Sequence, residues 1–285
     1  MTDRGVPRLT HAQRLASRDG YFAPDSVIRR LGNTPITPFL GGGTAVLLQV
    51  AHPLVAAGVV QHSDYRRDLW RRLARTLRAL YLITYGTREE AERAGAAVRA
   101  VHAHVRGVTT ERLGCFPAGT PYSAQDPQLQ LWVHATLVAA SLAAYQRFVR
   151  RLSRPEQDTY YREMALVAEL FGVPRAVIPD TLADFRNYFV AQVESETITV
   201  TAPAREVAEV VLAAPLPAPL RVLVPAHRLA TAGLLPARLR DEYGLHWNPF
   251  RAFALPFAAR SVRVTSAPVL LAASRLTPVP RVLTA

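Results

Sequence analysis

The placement of helix caps constrains the fold of this chain more than any other feature of its sequence. Thr87-Arg88-Glu89-Glu90 is a capping box, in which a Thr and a Glu side chain satisfy free N–H groups at a helix start, and the helix it opens ends at Gly107. Asp126-Pro127 is a second start signal, because an acidic N-cap precedes a proline at the first helical position. The chain has no Asn-Gly hairpin and no sustained two-residue alternation. The sequence therefore predicts an all-α protein.

Apolar periodicity and the caps together define the predicted helices. They cover residues 63–85, 88–106, 126–152, 153–172, 180–194 and 201–212, with shorter pieces at 220–232, 237–243 and 249–262. After residue 214, frequent prolines break the chain into these shorter pieces. We expect an N-terminal arm over 1–24, a single domain over 25–265 and a tail over 266–285. Within the domain, residues 214–265 should form a smaller helical subdomain packed on the rest.

The charge balance is strongly basic. The 285-residue chain has a formal net charge of +12, and every one of its 34 Lys or Arg residues is Arg. Nine Arg and only two acidic residues lie in 211–285. Such an excess of positive charge is typical of proteins that bind nucleic acid or anionic membranes. Since no recognised nucleic-acid-binding motif accompanies it, we expect no nucleic-acid partner. One alternative stays open, a non-catalytic helical protein that binds an anionic surface through its basic C-terminal quarter.

The single cysteine, Cys115, excludes an intramolecular disulfide and a Cys-rich metal site. One unpaired thiol is compatible with a reducing compartment. The N-terminus has no apolar segment of the kind found in signal peptides, and the apolar run over 43–60 is too short and too interrupted to span a membrane. We therefore expect a cytoplasmic protein with no transmembrane segment.

His102 and His104 lie on opposite sides of the 88–106 helix. At about 100° per residue, His102 falls beside the apolar stripe of Ala91, Ala94, Val98, Val101 and Val105, and His104 falls about 200° away from it. The two rings cannot hold one ion between them. His102 is therefore either a core histidine bonded to a carbonyl group or a ligand in a pocket, and His104 faces solvent.

Other polar side chains could reach the same pocket. Arg72 and Thr76 are four residues apart and share one face of the preceding helix, with Arg75 beside Thr76. The alternative for these arginines is a solvated cationic face.

His134 lies in the most apolar helix and needs a partner if it is buried. His62 either acts at a helix cap or contributes to a site. Phosphate-binding glycine loops, GxSxG and HExxH are absent from the sequence.

Several segments match a known family in order. They are His52-Pro53-Leu54-Val55-Ala56-Ala57-Gly58-Val59, His62-Ser63, Arg72-xxx-Thr76, Tyr85-Gly86, Val101-His102-Ala103-His104-Val105-Arg106-Gly107, Tyr122-x-Ala124-x-Asp126-Pro127, Trp132-Val133-His134-Ala135-Thr136, Tyr160-Tyr161-x-Glu163 and Gly172-Val173-Pro174. Over roughly residues 25–265 the chain resembles the DUF2236 family, which includes latex-clearing rubber oxygenases and MpaB-type oxygenases.

The resemblance implies a globin-like helical bundle around one b-type haem. It implies that His102, in the family's His-x-x-Val/Ile-Arg segment, is the iron ligand. It maps the family's Arg-xxx-Thr pair onto Arg72 and Thr76, suited to pairing with a propionate or to polarising bound oxygen. Arg75 and His134 join them as expected haem-pocket residues.

Two positions differ from the rubber oxygenases that the chain resembles. Those enzymes have a Lys able to ligate iron where this chain has Arg75, and a guanidinium is a poor iron ligand because it stays protonated. They also use a distal carboxylate as base, whereas this chain has no Asp or Glu between Asp25 and Asp64. Proximity in sequence to the Arg72 helix suggests His62 or Asp64 as a replacement base.

The sequence and the resemblance together predict a haem b-dependent oxygenase. Its expected partners are O2 and a small apolar substrate, isoprenoid-like in the family, with an electron donor if the reaction needs one. The expected roles are catalytic for Arg72, Thr76 and His62, and iron ligation for His102. A haem protein for electron transfer or gas sensing is the further alternative beside the anionic-surface binder.

Overall fold

The computed structural model describes residues 19–34, 36–62, 65–213 and 218–261, with the side chains of 65–72 and 218–220 left out. The helices are α1 (Val27–Gly32), α2 (Ile36–Val50), α3 (Pro53–His62), α4 (Tyr65–Tyr85), α5 (Arg88–His104), α6 (Pro127–Phe148), α7 (Arg154–Phe171), α8 (Leu182–Glu194), α9 (Ala202–Ala213), α10 (Val224–Leu234), α11 (Ala237–Glu242) and α12 (residues 249–261). Short 3-10 helices occupy Arg175–Val177 and Ala218–Leu223.

Extended structure is minor in the described ranges. Strands β1 (Arg106–Val108) and β2 (Pro121–Ser123) form one antiparallel pair in which Gly107 lies opposite Tyr122. One isolated bridge joins Leu113 and Phe116. The all-α prediction is confirmed.

Helix α6 is the central element of the bundle. Buried side chains occur all round it, as its continuous apolarity predicts. Helix α2 packs along it closely: a Cβ atom added at Gly41 would lie 2.8 Å from Cβ of Ala144, so the glycine permits the approach of the two backbones. The indole N–H of Trp132 donates to the carbonyl of Leu48 at 3.2 Å, which satisfies the one polar atom of that buried ring.

The helix starts follow the sequence signals closely. Thr87 and Ser153 each form a complete capping box, and the carboxylate of Asp126 accepts from the N–H groups of Gln128 and Leu129. The helix predicted from residue 180 is capped one residue later, by Thr181, because the Thr181 hydroxyl accepts from the N–H of Asp184 at 3.1 Å.

Two helix ends differ from the sequence prediction. Helix α5 ends at His104 rather than at residue 106, because Arg106 already pairs with Ser123 in the strand ladder. Helix α6 ends at Phe148 rather than near residue 152. Boundaries depend on long-range pairing as well as on local signals, so they are less well encoded than the helices themselves.

Helix α1 is fixed by a carboxylate from another helix. Glu163 of α7 accepts from the N–H of Ile28 at 2.6 Å and from that of Val27 at 3.3 Å. These are free N–H groups of the first turn of α1, and a negative charge is favourable there. Burial nevertheless raises the pKa of Glu163. The Tyr160-Tyr161-x-Glu163 segment thus has a structural role.

The proline-broken C-terminal part packs directly on the bundle. Leu255 and Ala259 of α12 join Leu40 of α2, Phe148 of α6 and Ala230 of α10 in one buried apolar cluster. The division into an arm, a domain with a smaller helical subdomain, and a tail stays a prediction. The predicted arm and tail lie mostly outside the described residues.

Within the described ranges, no single helix has both the length and the apolarity of a membrane span. Helices α2 and α3 taken together meet that test by length and composition, but they are bent by 104° at the break between them.

Candidate functional site

His102 lies in the last full turn of α5, on the side that faces the bundle. Ala91, Ala94 and Gly95 are buried along that side, Val98 and His102 are half-buried, and Nδ1 of His102 is shielded from solvent. His104 is exposed. The helical wheel therefore placed both rings correctly.

The prediction is wrong for one residue of the apolar stripe of α5. Val101 is 61% exposed, because the buried side is centred closer to His102 than the stripe of valines suggested. Val108, in the strand that follows, is also exposed.

Helix α4 packs against α5 and carries the expected Arg and Thr positions. Ala79 and Ile83 are buried on it, whereas Arg75 and Thr76 are exposed. The backbone of Arg72 lies one turn before Thr76 in the same helix, and its side chain is outside the described residues.

His134 is the most completely buried imidazole among the described histidines. It lies in the second turn of α6, and neither of its ring nitrogens has a hydrogen-bond partner among the described residues. Burial lowers its pKa to about 4, so the ring is neutral near pH 7. A buried polar group without a partner costs roughly 1–3 kcal/mol, and such an exception points to an unfilled role in binding or chemistry.

Gly172, in the left-handed conformation that ends α7, lies between a residue of α5 and a residue of α6: a Cβ atom added there would be 2.9 Å from Cδ of Arg99 and 3.9 Å from Nε2 of Gln130. His102 is one turn beyond Arg99 in α5, and His134 is one turn beyond Gln130 in α6.

The two imidazoles lie at different depths. The N–H of Ala124 donates to the carbonyl of Val105 at 2.8 Å, so α6 begins where α5 ends. His102 is close to that shared end, whereas His134 lies deeper along α6. The two histidines therefore lie near neighbouring ends of α5 and α6, His134 further into its helix.

His62 ends α3 and joins a small polar cluster. The Tyr122 hydroxyl lies 3.1 Å from Nε2 of His62 and donates to Oε1 of Gln61 at 2.6 Å. Since the one phenolic proton is used on Gln61, Nε2 of His62 is the donor to Tyr122 and Nδ1 carries the lone pair. Asp64, the other expected base, lies outside the described residues.

His52 has a structural partner. Its Nδ1 accepts from the N–H of Leu54 at 3.2 Å, so the ring caps the start of α3 just before Pro53. It also stacks on Phe116, and burial lowers its pKa to about 4.

The described side chains form no group of three or more His, Cys, Asp or Glu suited to a bare metal ion. Haem requires much less of the protein, since the porphyrin supplies four ligands and one imidazole can supply an axial one. The half-buried His102, with its shielded Nδ1, and the buried His134 ring, which has no partner among the described residues, fit that requirement.

Comparison with known proteins decides the family. Residues 29–266 match the family described as "ER-bound oxygenase mpaB/B'/Rubber oxygenase, catalytic domain". The chain belongs to this family. Two similar proteins, both described as uncharacterized, come from Mycobacterium tuberculosis and Mycobacterium bovis. Each is 27% identical over 209 residues, which cover 71% of this chain and 78% of the relative.

The mpaB/rubber oxygenase fold is also recognised in a solved structure. Latex clearing protein in its closed state superposes with a TM-score of 0.60 at 20% identity, covering 92% of this chain and 71% of that protein. The membership and the fold agree with the resemblance identified from the sequence motifs.

Sequence reasoning missed two features of the site in this mpaB/rubber oxygenase domain. The Tyr122 contact with His62 joins residues 60 positions apart, and only the return of the β1–β2 pair brings them together. The absence of described partners for His134 was also unexpected, since a buried imidazole normally has one.

Proposed function

We propose that this protein is a haem b-dependent oxygenase that acts on a small apolar molecule of isoprenoid-like character. The observation that carries the proposal is His102: a half-buried imidazole with a shielded Nδ1, on the bundle side of α5 and at the family's motif position. Membership in an oxygenase family gives the reaction class.

The residues that would hold the haem are those with the matching chemistry. His102 would supply a nitrogen ligand to the iron. Arg75, on the neighbouring helix α4, would pair with a propionate carboxylate, for which a guanidinium is well shaped. His134 would donate a hydrogen bond inside the pocket, which would satisfy a ring that has no partner among the described residues.

When bound, haem iron supplies the binding and activation of O2. The chain's own residues would orient the reactants and exchange protons with them. Thr76, a hydroxyl on α4, and Arg72 would donate hydrogen bonds that orient O2 in the pocket. His62 would act as the distal base through Nδ1, the nitrogen left with a lone pair by the Tyr122 contact.

The substrate assignment is tested with oxygen uptake by the haem-loaded protein, using squalene as an apolar isoprenoid probe and ¹⁸O₂ as the oxygen source. Cleavage of a carbon–carbon double bond consumes one O2 and leaves one labelled oxygen atom on each of two carbonyl products. Insertion of one atom requires two electrons from a donor and releases the second atom as water. Either pattern of label supports the proposal and distinguishes the two reactions.

A haem-loaded protein that consumes no oxygen with apolar alkenes, with or without a reductant, would contradict an oxygenase. Reversible O2 binding or electron exchange under the same conditions would indicate gas sensing or electron transfer instead.

A further inference from the structure

Helix α12 presents a row of phenylalanines to solvent. Phe250, Phe253 and Phe257 are 75%, 66% and 55% exposed, and the rings of Phe253 and Phe257 are 4.5 Å apart. Their spacing of three and four residues places all three on one face of the helix. Single exposed apolar side chains are common, whereas a contiguous aromatic stripe marks an interaction surface. We call these three residues the Phe stripe.

The opposite face of α12 is anchored in the protein. Leu255 and Ala259 are 4% and 3% exposed and belong to the cluster with Leu40 and Ala230. At about 100° per residue, their midpoint lies roughly 170° from the centre of the Phe stripe. The helix is therefore held by one face, and its exposed aromatic face is a consequence of that packing.

The charge around the Phe stripe is of one sign. Arg251 and Arg260, on α12 itself, are both exposed, and Arg251 donates to the carbonyl of His246 at 2.5 Å. Residues 243–285 include five Arg and no Asp or Glu. Helix α12 itself therefore carries no acidic side chain that an anionic surface would repel.

An apolar aromatic face flanked by arginines matches the boundary of an anionic lipid bilayer. Phenylalanines of an interfacial helix enter the boundary between headgroups and acyl chains, while the cationic side chains remain with the anionic headgroups. Nucleic acid is the less suitable partner, because its phosphates would have to be reached past three apolar rings that offer no hydrogen bonds.

We propose that the protein docks peripherally on anionic membrane through the Phe stripe, with Arg251 and Arg260 at its flanks. The surface lies on α12 and is independent of the proposed haem site. Docking there would bring the domain to the lipid bilayer, in which apolar small molecules dissolve.

The test is sedimentation of the full chain with two kinds of vesicle. One is phosphatidylcholine alone, and the other also contains about 30% of the anionic lipid phosphatidylglycerol. We expect binding to the anionic vesicles, at least about tenfold weaker binding to the neutral ones, and release by salt. The triple variant F250S/F253S/F257S should lose at least about tenfold in affinity, and R251Q/R260Q should lose a similar factor for anionic vesicles only.

Val190 provides the matched control, because it is 59% exposed on α8, away from the Phe stripe. V190S should bind like the wild type. Thermal melts of all variants should coincide with that of the wild type, since the substituted side chains are exposed, so weakened binding would not reflect unfolding.

Other outcomes overturn the proposal. Equal binding by the triple variant, or no binding by the wild type, would remove the Phe stripe as a docking surface. Capture of a single-stranded oligonucleotide that is lost in the triple variant, without vesicle binding, would assign the surface to nucleic acid. A dimer in lipid-free buffer that the triple variant converts to a monomer would assign it to a second copy of the chain.

Discussion

The hydroxyl of Tyr122 lies 3.1 Å from Nε2 of His62 and thereby assigns the proton of that ring. Because Tyr122 donates its own proton to Gln61, His62 donates through Nε2 and keeps a lone pair on Nδ1. The contact also joins the end of α3 to β2.

The first prediction concerns His62 as the distal base. His62→Gln should lower turnover about 100-fold with little change in substrate KM, because a positioned general base contributes that order of rate. The haem absorption spectrum should be unchanged. Steady-state oxygen uptake measures the effect, and His104→Gln, on an exposed ring, is the control. Equal losses in the two variants would exclude a specific role for His62.

A second prediction compares two buried imidazoles, of which His52 has a hydrogen-bond partner and His134 has none among the described residues. His134→Leu should stabilise the haem-free protein by about 1–3 kcal/mol, because it removes a buried polar ring that has no partner among the described residues. His52→Leu should destabilise it by about 1 kcal/mol, because it removes the acceptor of the Leu54 N–H. Urea unfolding of the haem-free variants measures both. Destabilisation of similar size in the two variants would show that His134 has a structural partner.

The same two rings predict a pH dependence of stability. Burial holds the pKa of His52 and His134 at about 4, below the ordinary value of 6.5. The unfolded chain therefore binds protons that the folded chain does not between these two pH values. The free energy of unfolding should be fully retained above pH 6.5 and should fall as the pH decreases toward 4, by at most about 1.4 kcal/mol per pH unit for each ring.

Urea unfolding between pH 4.5 and 7.5 provides the measurement, with His134→Leu as the comparison. The variant should show a shallower slope than the wild type, since one of the rings responsible has been removed. A slope unchanged by the substitution would mean that His134 is protonated as easily in the folded chain as in the unfolded one.

The local signals of the sequence predicted the helices well. Capping boxes at Thr87 and Ser153 and the proline start at Asp126 act within one turn, so they are readable without tertiary information. Where a boundary depended on a distant partner, prediction failed: α5 stops early because Arg106 pairs with a strand 17 residues on.

The candidate site was partly readable from the sequence. Helical periodicity gave the inward side of His102 and the outward side of His104. Periodicity could not provide the contact of His62 with Tyr122, which depends on the path of the chain between α5 and α6. Nor could it show that Val101 would be exposed, because that depends on which neighbouring helices cover α5.

The central claim is that His102 ligates haem iron, and the absorption spectrum of the purified protein tests it most directly. Wild-type protein expressed with haem supplementation should carry a Soret band with stoichiometric haem. His102→Ala should lose the band or shift it, whereas His104→Ala, two residues away on the exposed side of the same helix, should keep the wild-type spectrum. A wild-type protein that binds no haem, or a His102→Ala variant with an unchanged spectrum, would contradict the account.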